Sequence, residues 1–300
     1  LDTARALTLE DGLVASGTLD PMQQPFLNDH RIDGTAVLPG VMGVESFAAA
    51  ATLLAPNHHI VAVDDVDFLA PFKFFRDEPR EIVVTAQLVP GDGDEITAYC
   101  ALIGQRVLAN QSEPQTTVHF TGTVRLRSGD GAADLGSAPV PDDGDVEVDA
   151  DDIYRIYFHG PAYQVLDEAW IAGSQMCGEW DDDAPAATDP ADARLVTAPR
   201  WLELCFQTAG VWEIGTSGEM ALPNHIDHVE FGPPESSIDD AIAVVDPAAD
   251  DDAGHQAIVV DNDGTVLVRM TGYRTIRLPG ALDDDLVAPL RRAATAEDAT

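Results

Sequence analysis

Two residues in this sequence combine a reactive side chain with the apolar surroundings that general acid–base chemistry uses. His30 comes shortly before an apolar stretch that opens at Pro39, and Glu203 lies inside a second apolar stretch that opens at Pro199. A histidine accepts a proton near neutral pH, and a carboxyl group in an apolar pocket can keep one because burial raises its pKa. An unpaired buried carboxyl group is costly and usually has a partner or a function. His30 and Glu203 are therefore candidates for proton transfer.

Each of the two apolar stretches predicts a buried helix. The first is expected from Pro39 to about Leu54, and the second from Pro199 to the glycines Gly215 and Gly218. Proline suits the first helical position because its missing N–H group would have no partner there. Both stretches are apolar on nearly all faces, which indicates helices that are buried on most sides.

The residues around these helices suggest supporting roles. The N–H groups of Gly40 and Val41 lie at the positive end of the first helix dipole, where a developing negative charge is stabilised. Gly34 and Gly40 would let the backbone approach a substrate closely. Gln207 follows Glu203 by one helical turn, so it is the expected orienter of that carboxyl group.

Strand patterns surround each predicted helix. The expected strands cover 61–68, 81–88, 97–103 and 118–126 in the first half, and 229–231, 241–245, 257–260 and 266–276 in the second. Residues 91–94 and 261–264 carry the Gly/Asp/Asn patterns of hairpin turns. Each half therefore predicts an antiparallel sheet with one buried helix, which is an α+β architecture.

Length and composition predict two modules with a connection between them. A chain of 300 residues corresponds to about two modules of roughly 150 residues each. Residues 128–152 are rich in Gly, Ala, Asp and Pro, and such a segment cannot offset the entropy of ordering. The expected organisation is an N-terminal half 1–127, a linker 128–152, a C-terminal half 153–280 and a tail or linker 281–300.

The charge of the chain is strongly one-sided. It has 53 acidic and 16 basic residues, a formal net charge of −37, and a single lysine, Lys73. Such a field repels nucleic acids and anionic membrane surfaces, so neither is expected as a partner. An Asp-rich, Lys-poor surface is typical of proteins that work in concentrated salt, and we expect the stability of this chain to rise with salt.

We expect neither a signal peptide nor a spanning segment from the sequence. Its longest stretch without charged residues, 46–63, is interrupted by Pro56, Asn57 and two histidines. Three cysteines, Cys100, Cys177 and Cys205, lie far apart with no Cys-x-x-Cys pattern. We expect reduced, packed thiols in a cytoplasmic protein.

Three motifs carry a resemblance to one enzyme family. His30-x-x-x-Gly34-x-x-x-x-Pro39-Gly40 resembles the active-site motif of 3-hydroxyacyl-carrier-protein dehydratases. Glu203-x-x-x-Gln207 resembles the Asp-x-x-x-Gln/His motif of the dehydratase domains of polyketide and polyunsaturated-fatty-acid synthases. The segment from Tyr154 to Tyr163, with Gly160-Pro161 inside it, resembles their Tyr/Phe-Gly-Pro-x-Phe motif. The order and spacing agree over about residues 5–280.

The resemblance implies a double-hotdog fold and a dehydration reaction. Two fused hotdog halves would each wrap an antiparallel sheet around one helix, and the site would turn 3-hydroxyacyl thioesters into 2-enoyl thioesters. The substrate would arrive on the phosphopantetheine arm of an acyl carrier protein, with no metal or redox cofactor. Other domains of a megasynthase are implied partners, and a second copy of the chain, in a homodimer, is a further candidate.

The resemblance also assigns roles to residues. His30 would take the α-proton and Glu203 would protonate the departing hydroxyl group. Supporting roles fall to Gln207, Gly34, Pro39, Gly40 and Val41, and the substrate pocket would be lined by Tyr157, His159, Gly160, Pro161 and Tyr163. This chain has Glu203 where the family usually has aspartate, which moves the carboxyl group by one methylene.

Several alternatives stay open. Glu45 follows Pro39 by six residues, the spacing of the catalytic glutamate in single-hotdog dehydratases, although a polar helix residue is the favoured interpretation. His159 is expected to line the pocket without chemistry. Because Glu203 departs from the family pattern, a catalytically silent acyl-binding or dimerising hotdog module remains a candidate. A hotdog thioesterase or a product-template cyclase is another.

No metal site is expected from the sequence. Residues 261–264 begin like a calcium loop, but the twelfth position is Gly272 where a bidentate glutamate is needed.

Two basic clusters in the first half could receive a carrier protein. They are Arg125 with Arg127, and Lys73 with Arg76 and Arg80. We expect an acidic carrier protein to dock on one of them.

Overall fold

The computed structural model describes residues 1–8, 12–91, 93–106, 115–129, 131, 133–232, 240–248 and 253–295. The chain divides into two compact units. The first comprises Leu1–Ala133 and Ala186–Thr197, and the second comprises Asp134–Pro185 and Ala198–Thr300.

The first unit is an antiparallel sheet with one long helix. Its elements are β1 (Thr3–Thr8), β2 (Gly12–Leu19), α1 (Pro25–Asn28), β3 (Arg31–Ile32), β4 (Thr35–Val37), α2 (Gly40–Leu54), β5 (His58–Phe68), β6 (Lys73–Phe74), β7 (Arg80–Pro90), β8 (Glu95–Arg106) and β9 (Gln115–Ser128). The main sheet has the order β1-β2-β7-β8-β9-β5, and β3-β4-β6 form a small second sheet. All pairings within these sheets are antiparallel.

Helix α2 packs on the main sheet through small residues that face large ones. A Cβ added at Gly43 would lie 2.4 Å from the ring of Phe120, and one added at Gly122 would lie 3.1 Å from the ring of Phe47. The helix backbone therefore comes close to β9, and Phe47 is fully buried. This packing fixes the start of α2, which leads directly from the His30 motif.

The second unit repeats the plan of the first. Its elements are β10 (Glu147–Asp149), α3 (Ala150–Ile153), β11 (Leu166–Ala172), β12 (Gln175–Trp180), α4 (Pro199–Ser217), β13 (Glu219–Phe231), β14 (Ala241–Asp246), β15 (His255–Asp261), β16 (Val266–Ala281) and α5 (Asp284–Ala294). The sheet order is β13-β16-β15-β14-β12-β11-β10, with antiparallel pairing between neighbours. Helix α4 is the long central helix, and its residues Trp201, Leu202, Leu204 and Cys205 are fully buried.

Both predicted helices are confirmed, with one correction at the first start. Helix α4 begins at Pro199 and ends before Gly218, whose φ of 74° is the left-handed conformation that glycine adopts readily. Helix α2 begins at Gly40 rather than Pro39, which is the N-cap with φ −58° and ψ 139°. A proline at the cap keeps its own φ while its extended ψ turns the chain into the helix.

The eight predicted strands are present, and most run beyond their predicted ends. Strand β13 begins ten residues before the predicted start at 229 and includes Pro223. Strands β1, β2, β11 and β12 carry weaker patterns and were not predicted. The turn expected at 261–264 forms, with Gly264 at φ 78°, whereas Asp92 of the turn expected at 91–94 lies outside the described residues.

Residues 128–152 were expected to be a surface linker, but the second part of this segment packs on the second unit. From Asp134 onward it belongs to the second unit. The Trp170 indole donates to the carbonyl oxygen of Asp142 at 3.0 Å, and a Cβ on Gly144 would lie 2.5 Å from the Trp170 Cβ. Small residues let this segment lie flat on Trp170, so a composition that resembles a linker here serves close packing.

The expected tail also packs on the second unit in its described part. The Asp283 side chain accepts from the Asp285 amide and caps α5. Leu290 and Ala294 of α5 lie against Gly215 of α4, where an added Cβ would come 2.6 Å from the Ala294 Cβ. Residues 296–300 lie outside the described residues.

Two further observations concern expectations about the environment of the chain. Within the described ranges, no helix is both long and apolar enough to cross a membrane. Cys100, Cys177 and Cys205 are free and buried, and burial raises the pKa of the Cys100 thiol to about 12.

Candidate active site

His30 is held by a tight hairpin at the start of the first motif. The turn between β3 and β4 has Asp33 at φ 50° and Gly34 at φ 74°, which are the left-handed values of a two-residue hairpin turn. The Val37 amide donates to the His30 carbonyl oxygen at 2.9 Å. Arg31 donates to the carbonyl oxygens of Asn28 at 2.8 Å and Gly34 at 3.1 Å, which fastens the hairpin from outside.

The hairpin also sets the tautomer of His30. The ring is buried, and its Nδ1 lies 2.8 Å from the carbonyl oxygen of Val37. A carbonyl oxygen can only accept, so Nδ1 carries the hydrogen and the basic lone pair of the neutral ring is on Nε2. This is the arrangement that a general base needs.

The two glycines of the motif serve the backbone in different ways. Gly34 lies at an exposed turn, and an added Cβ would have nothing within 4 Å, so its positive φ accounts for it. A Cβ on Gly40 would lie 2.7 Å from the ring of Phe68. Gly34 therefore forms the turn and Gly40 packs on Phe68, and that the backbone at these glycines approaches a substrate stays a prediction.

The first turn of α2 supplies the expected donors. The amides of Gly40 and Val41 have no acceptor within the helix because helix geometry provides none for its first N–H groups. Met42 and Gly43 already donate to the Pro39 carbonyl oxygen, at 3.1 and 3.3 Å. Gly40 and Val41 are therefore the amides at the positive end of the dipole.

Glu203 lies in a polar network inside the core of the second unit. It is 5% exposed, and its Oε1 accepts from Gln207 Nε2 at 3.0 Å. Gln207 Nε2 also donates to the Tyr163 carbonyl oxygen at 2.9 Å. The Tyr157 hydroxyl donates to the Gln207 carbonyl oxygen at 2.7 Å. The expected contact between Glu203 and Gln207, one helical turn apart, is present.

Tyr163 and Tyr154 together fix the orientation of the Gln207 amide. The Leu166 amide donates to the Tyr154 hydroxyl oxygen at 2.8 Å, and the Tyr154 hydroxyl lies 2.9 Å from Gln207 Oε1. The Tyr163 carbonyl oxygen can only accept, so the Gln207 nitrogen faces it and Glu203, and the Tyr154 hydroxyl donates its proton to Gln207 Oε1. Tyr154 belongs to a sequence motif, but its role in orienting the Gln207 amide was not predicted. The sequence signal that could have suggested this role is a tyrosine among the polar residues of the motif.

The Gly160-Pro161 motif forms a short turn, and the carbonyl oxygen of Tyr163 in this turn contacts Gln207 of α4. Gly160 is the N-cap of a 3₁₀ turn over Pro161–Tyr163, and its carbonyl oxygen accepts from the Tyr163 amide at 2.9 Å. Pro161 is exposed, whereas Tyr163 is fully buried. The motif thus brings the Tyr163 carbonyl oxygen to Gln207. That these residues line a substrate pocket stays a prediction.

His159 and Glu45 are both buried and in polar contacts. His159 Nε2 lies 3.2 Å from Glu203 Oε1, so this ring contacts the carboxyl group. Glu45 is 6% exposed and accepts three hydrogen bonds: from the Val196 amide at 2.9 Å, the Thr197 amide at 2.8 Å and the Thr197 hydroxyl at 2.6 Å. Burial raises the pKa of Glu45, and these bonds oppose the rise. They favour a structural role over a catalytic one.

Comparison with known families identifies the chain. Its residues 132–285 match the family described as "Polyketide synthase dehydratase N-terminal domain", and residues 1–99 match "Polyketide synthase dehydratase domain". The chain belongs to the polyketide synthase dehydratase family. Members of this family are 3-hydroxyacyl dehydratases, so dehydration is the activity class, as the motifs implied.

Curated relatives of this dehydratase are much longer proteins. The chain is 28% identical over 223 residues to the pikromycin polyketide synthase component PikAII of Streptomyces venezuelae, which covers 70% of the chain and 6% of that protein. It is also 28% identical over 213 residues to a polyunsaturated fatty acid synthase of Thraustochytrium sp., covering 68% of the chain and 7% of that protein.

Solved dehydratase domains confirm the double-hotdog fold. A trans-AT polyketide synthase dehydratase domain from Brevibacillus brevis superposes with a TM-score of 0.72 at 21% identity, over 91% of this chain and 96% of that one. The dehydratase domain of the CurF module of curacin polyketide synthase gives 0.73 at 18% identity, over 92% and 98%. At this identity the likeness concerns the fold alone.

Proposed function

We propose that this dehydratase removes water from a 3-hydroxyacyl thioester by the paired action of His30 and Glu203. His30 Nε2 takes the proton from the carbon next to the thioester carbonyl. The electrons of that C–H bond form the double bond, the C–O bond at the hydroxyl-bearing carbon breaks, and Glu203 gives its proton to the departing oxygen, which leaves as water. The observation that supports this most directly is the buried Glu203 carboxyl group held by a Gln207 amide of fixed orientation.

The remaining groups of the motifs support the charges that develop. Negative charge grows on the thioester oxygen as the α-proton leaves, and the amides of Gly40 and Val41 are the proposed donors to it. The hydrogen bond from His30 Nδ1 to Val37 keeps the basic nitrogen at Nε2. We propose that this chemistry needs no metal or redox cofactor, because side chains supply both proton transfers.

An acyl carrier protein is the proposed bearer of the substrate. The structure separates the two candidate docking clusters by their pairing: Arg125 is paired with Asp64 at 2.7 Å, and Arg127 with Glu95. Among the described residues, no carboxylate pairs with Lys73, Arg76 or Arg80, the three residues of the second cluster. Paired arginines offer little attraction to an acidic partner, so the second cluster is the better candidate.

The favoured cluster lines a cleft next to the His30 strand. Lys73, Arg80, Arg106 and His119 line a cleft of about 570 Å³ in the first unit. Glu78 also lines this cleft, and burial and the nearby Arg106 lower the pKa of Arg80. Lys73 pairs with Val37 across β6 and β4, and Val37 accepts from His30. We propose that the carrier and its phosphopantetheine arm dock here.

The setting of the domain is proposed from the same observations. The chain matches small parts of multidomain synthases, so other synthase domains are proposed neighbours, and a second copy of the chain is a further candidate. The three free, buried cysteines support a cytoplasmic location.

A single incubation tests the function. The protein is mixed with a 3-hydroxyacyl-pantetheine thioester, and the products are followed by mass spectrometry. Loss of one water with the thioester intact is the expected result. Release of a free acid would identify a thioesterase, a cyclised product would identify a product-template cyclase, and an unchanged substrate would leave a silent acyl-binding module.

The docking proposal is tested with charge reversal. Arg80→Glu with Lys73→Glu should raise the KM for carrier-bound substrate about 10-fold or more at low salt, and leave a small pantetheine substrate unaffected. Arg125→Glu with Arg127→Glu is the matched control, with a small effect on either substrate. Equal effects of the Arg80 and Lys73 changes on both substrates would remove the docking proposal.

A further inference from the structure

A second ionisable side chain is built against the acid of the second unit. His159 Nε2 lies 3.2 Å from Glu203 Oε1, and both side chains are nearly inaccessible, with 7% and 6% exposure. Phe158 stacks on the imidazole ring at 4.4 Å between ring centroids, and Tyr157 meets its edge at 5.6 Å. The ring is therefore packed on two sides, and its contact with the carboxyl group is a fixed part of the site.

The two contacts to Glu203 arrive at the same oxygen. Gln207 Nε2 must face Glu203 because the Tyr163 carbonyl oxygen on the same side can only accept. Glu203 Oε1 is thus an acceptor for Gln207, and His159 Nε2 approaches that same atom. In the protonated form of Glu203, the oxygen that accepts from these N–H groups is the carbonyl-type oxygen, so the acidic proton is then carried by Oε2.

We propose that His159 is a positioning residue for the acid: its Nε2–H group and the Gln207 amide together hold Glu203 Oε1, which directs the transferable proton to Oε2 and stabilises the carboxylate after transfer. A buried carboxylate without donors is costly, and each N–H group directed at it favours the charged product of proton transfer. This inference rests on the proposed function and gives chemistry to a residue that was expected only to line the pocket.

The phenols around Glu203 and the nearby Cys205 thiol stay protonated near neutral pH. The phenols Tyr154, Tyr157 and Tyr273 interact electrostatically with Glu203, and burial raises the pKa of each well above its ordinary value. The same phenols also face Asp181 and Glu213. Burial raises the pKa of the Cys205 thiol in the same way. His159 is therefore the group to vary when the behaviour of the acid is tested.

The decisive variant is His159→Phe, which keeps a flat ring beside Phe158 and removes the donor. We expect kcat/KM for 3-hydroxyacyl-pantetheine to fall about 10- to 100-fold, because a hydrogen bond to a charged group is lost. The alkaline limb of the pH profile, where the acid loses its proton, should move to higher pH because the carboxylate has lost a donor. His159→Gln, which keeps an N–H group, should recover part of the rate and return the limb towards its original position.

Phe158→Leu is the matched control because it changes the packing of the ring and no polar contact of Glu203. Its rate can change, but the alkaline limb should not move. If the alkaline limb of the pH profile stays in place in His159→Phe, the inference is overturned, whatever the reaction rate of the variant. A purely structural role would lower the rate without moving this limb. Thermal melts of all three variants show whether each is folded.

A second measurement does not depend on turnover. ¹⁵N NMR of labelled histidine distinguishes the two neutral tautomers, and we expect His159 to carry its hydrogen on Nε2 at neutral pH. Finding the hydrogen on Nδ1 would overturn the inference. Failure of the proposed function is a different result: an unchanged 3-hydroxyacyl substrate with the unmodified protein, whatever the tautomer of His159.

Discussion

Among the described residues, two glutamates are buried, one on the central helix of each unit, and they are bonded in different ways. Glu45 accepts on both oxygens, from two backbone amides and one hydroxyl group of residues 196–197. Glu203 accepts on Oε1 from Gln207, with His159 at the same atom. Backbone donors on both oxygens fix a carboxylate as a structural acceptor. Side-chain contacts gathered on one oxygen suit a carboxyl group that gives up a proton.

The largest expected effect breaks the acid–base pair. His30→Ala should lower turnover of 3-hydroxyacyl-pantetheine by about 10²- to 10⁴-fold, the usual contribution of a positioned acid or base. Adding Glu203→Gln should make the protein scarcely slower, because residues that act as one unit are not additive. Single-turnover rates of both single variants and the double variant test this. Losses that multiply would show that the two groups act separately.

The next effect concerns the stability that Glu45 provides. Glu45→Gln places an amide NH₂ group against N–H donors, so the free energy of unfolding should fall by about 1–3 kcal/mol. Urea denaturation measures the change. Glu78→Gln, at an exposed position, is the control and should be close to neutral. An unchanged stability in Glu45→Gln would remove the structural half of the comparison.

A smaller effect separates the orienter from the acid. Tyr154→Phe removes the donor that orients Gln207 and leaves the Leu166 amide without its acceptor. Turnover should fall roughly 10- to 100-fold, because Gln207 Oε1 loses its donor and the amide that holds Glu203 is positioned less firmly. Tyr99→Phe, at a position that is 56% exposed, is the matched control. Steady-state kcat for the two variants tests this, and equal kcat would contradict the fixed-amide argument.

The smallest expected effect concerns Glu168, a carboxyl group outside the three motifs whose pKa is raised. Burial and the neighbours Glu147 and Glu179 raise the pKa of Glu168 from 4.5 to about 7, although Glu168 belongs to none of the three motifs. A folded-state pKa above the unfolded value means that its contribution to stability is present below about pH 4.5 and is lost as pH rises through 7. Glu168→Gln should therefore flatten the fall in melting temperature between pH 5 and 8.

Added salt, like Glu168→Gln, should stabilise the chain by weakening repulsion among its carboxylates. Screening weakens the repulsion among the carboxylates of this −37 chain, so the melting temperature should rise from low to molar sodium chloride. The rise should be smaller in Glu168→Gln. A melting temperature that is flat with salt would count against the high-salt interpretation of the composition.

Much of the site could be predicted from the sequence because it depends on local signals. The ends of α4 follow from Pro199 and Gly218, whose backbone preferences need no tertiary information. Glu203 and Gln207 meet because they lie one helical turn apart. The tautomer of His30 depends on Val37, seven residues away, and needs the hairpin to be known.

The rest depends on packing between distant segments. His159 reaches Glu203 because a short turn lies on α4, and no periodicity in the sequence reports that contact. The segment on Trp170 has the composition of a linker, since small residues serve both flexible connections and close packing. The role of Gly40 depends on Phe68, which lies on another strand.

The most direct test of the central claim compares the two buried glutamates in one assay. Glu203→Gln and Glu45→Gln are incubated at equal folded concentration with the same 3-hydroxyacyl-pantetheine thioester, and loss of water is measured by mass spectrometry. We expect Glu203→Gln to lose turnover by at least about 100-fold and Glu45→Gln to keep most of it. Loss of turnover in Glu45→Gln with retention in Glu203→Gln would contradict the assignment of Glu203 as the acid.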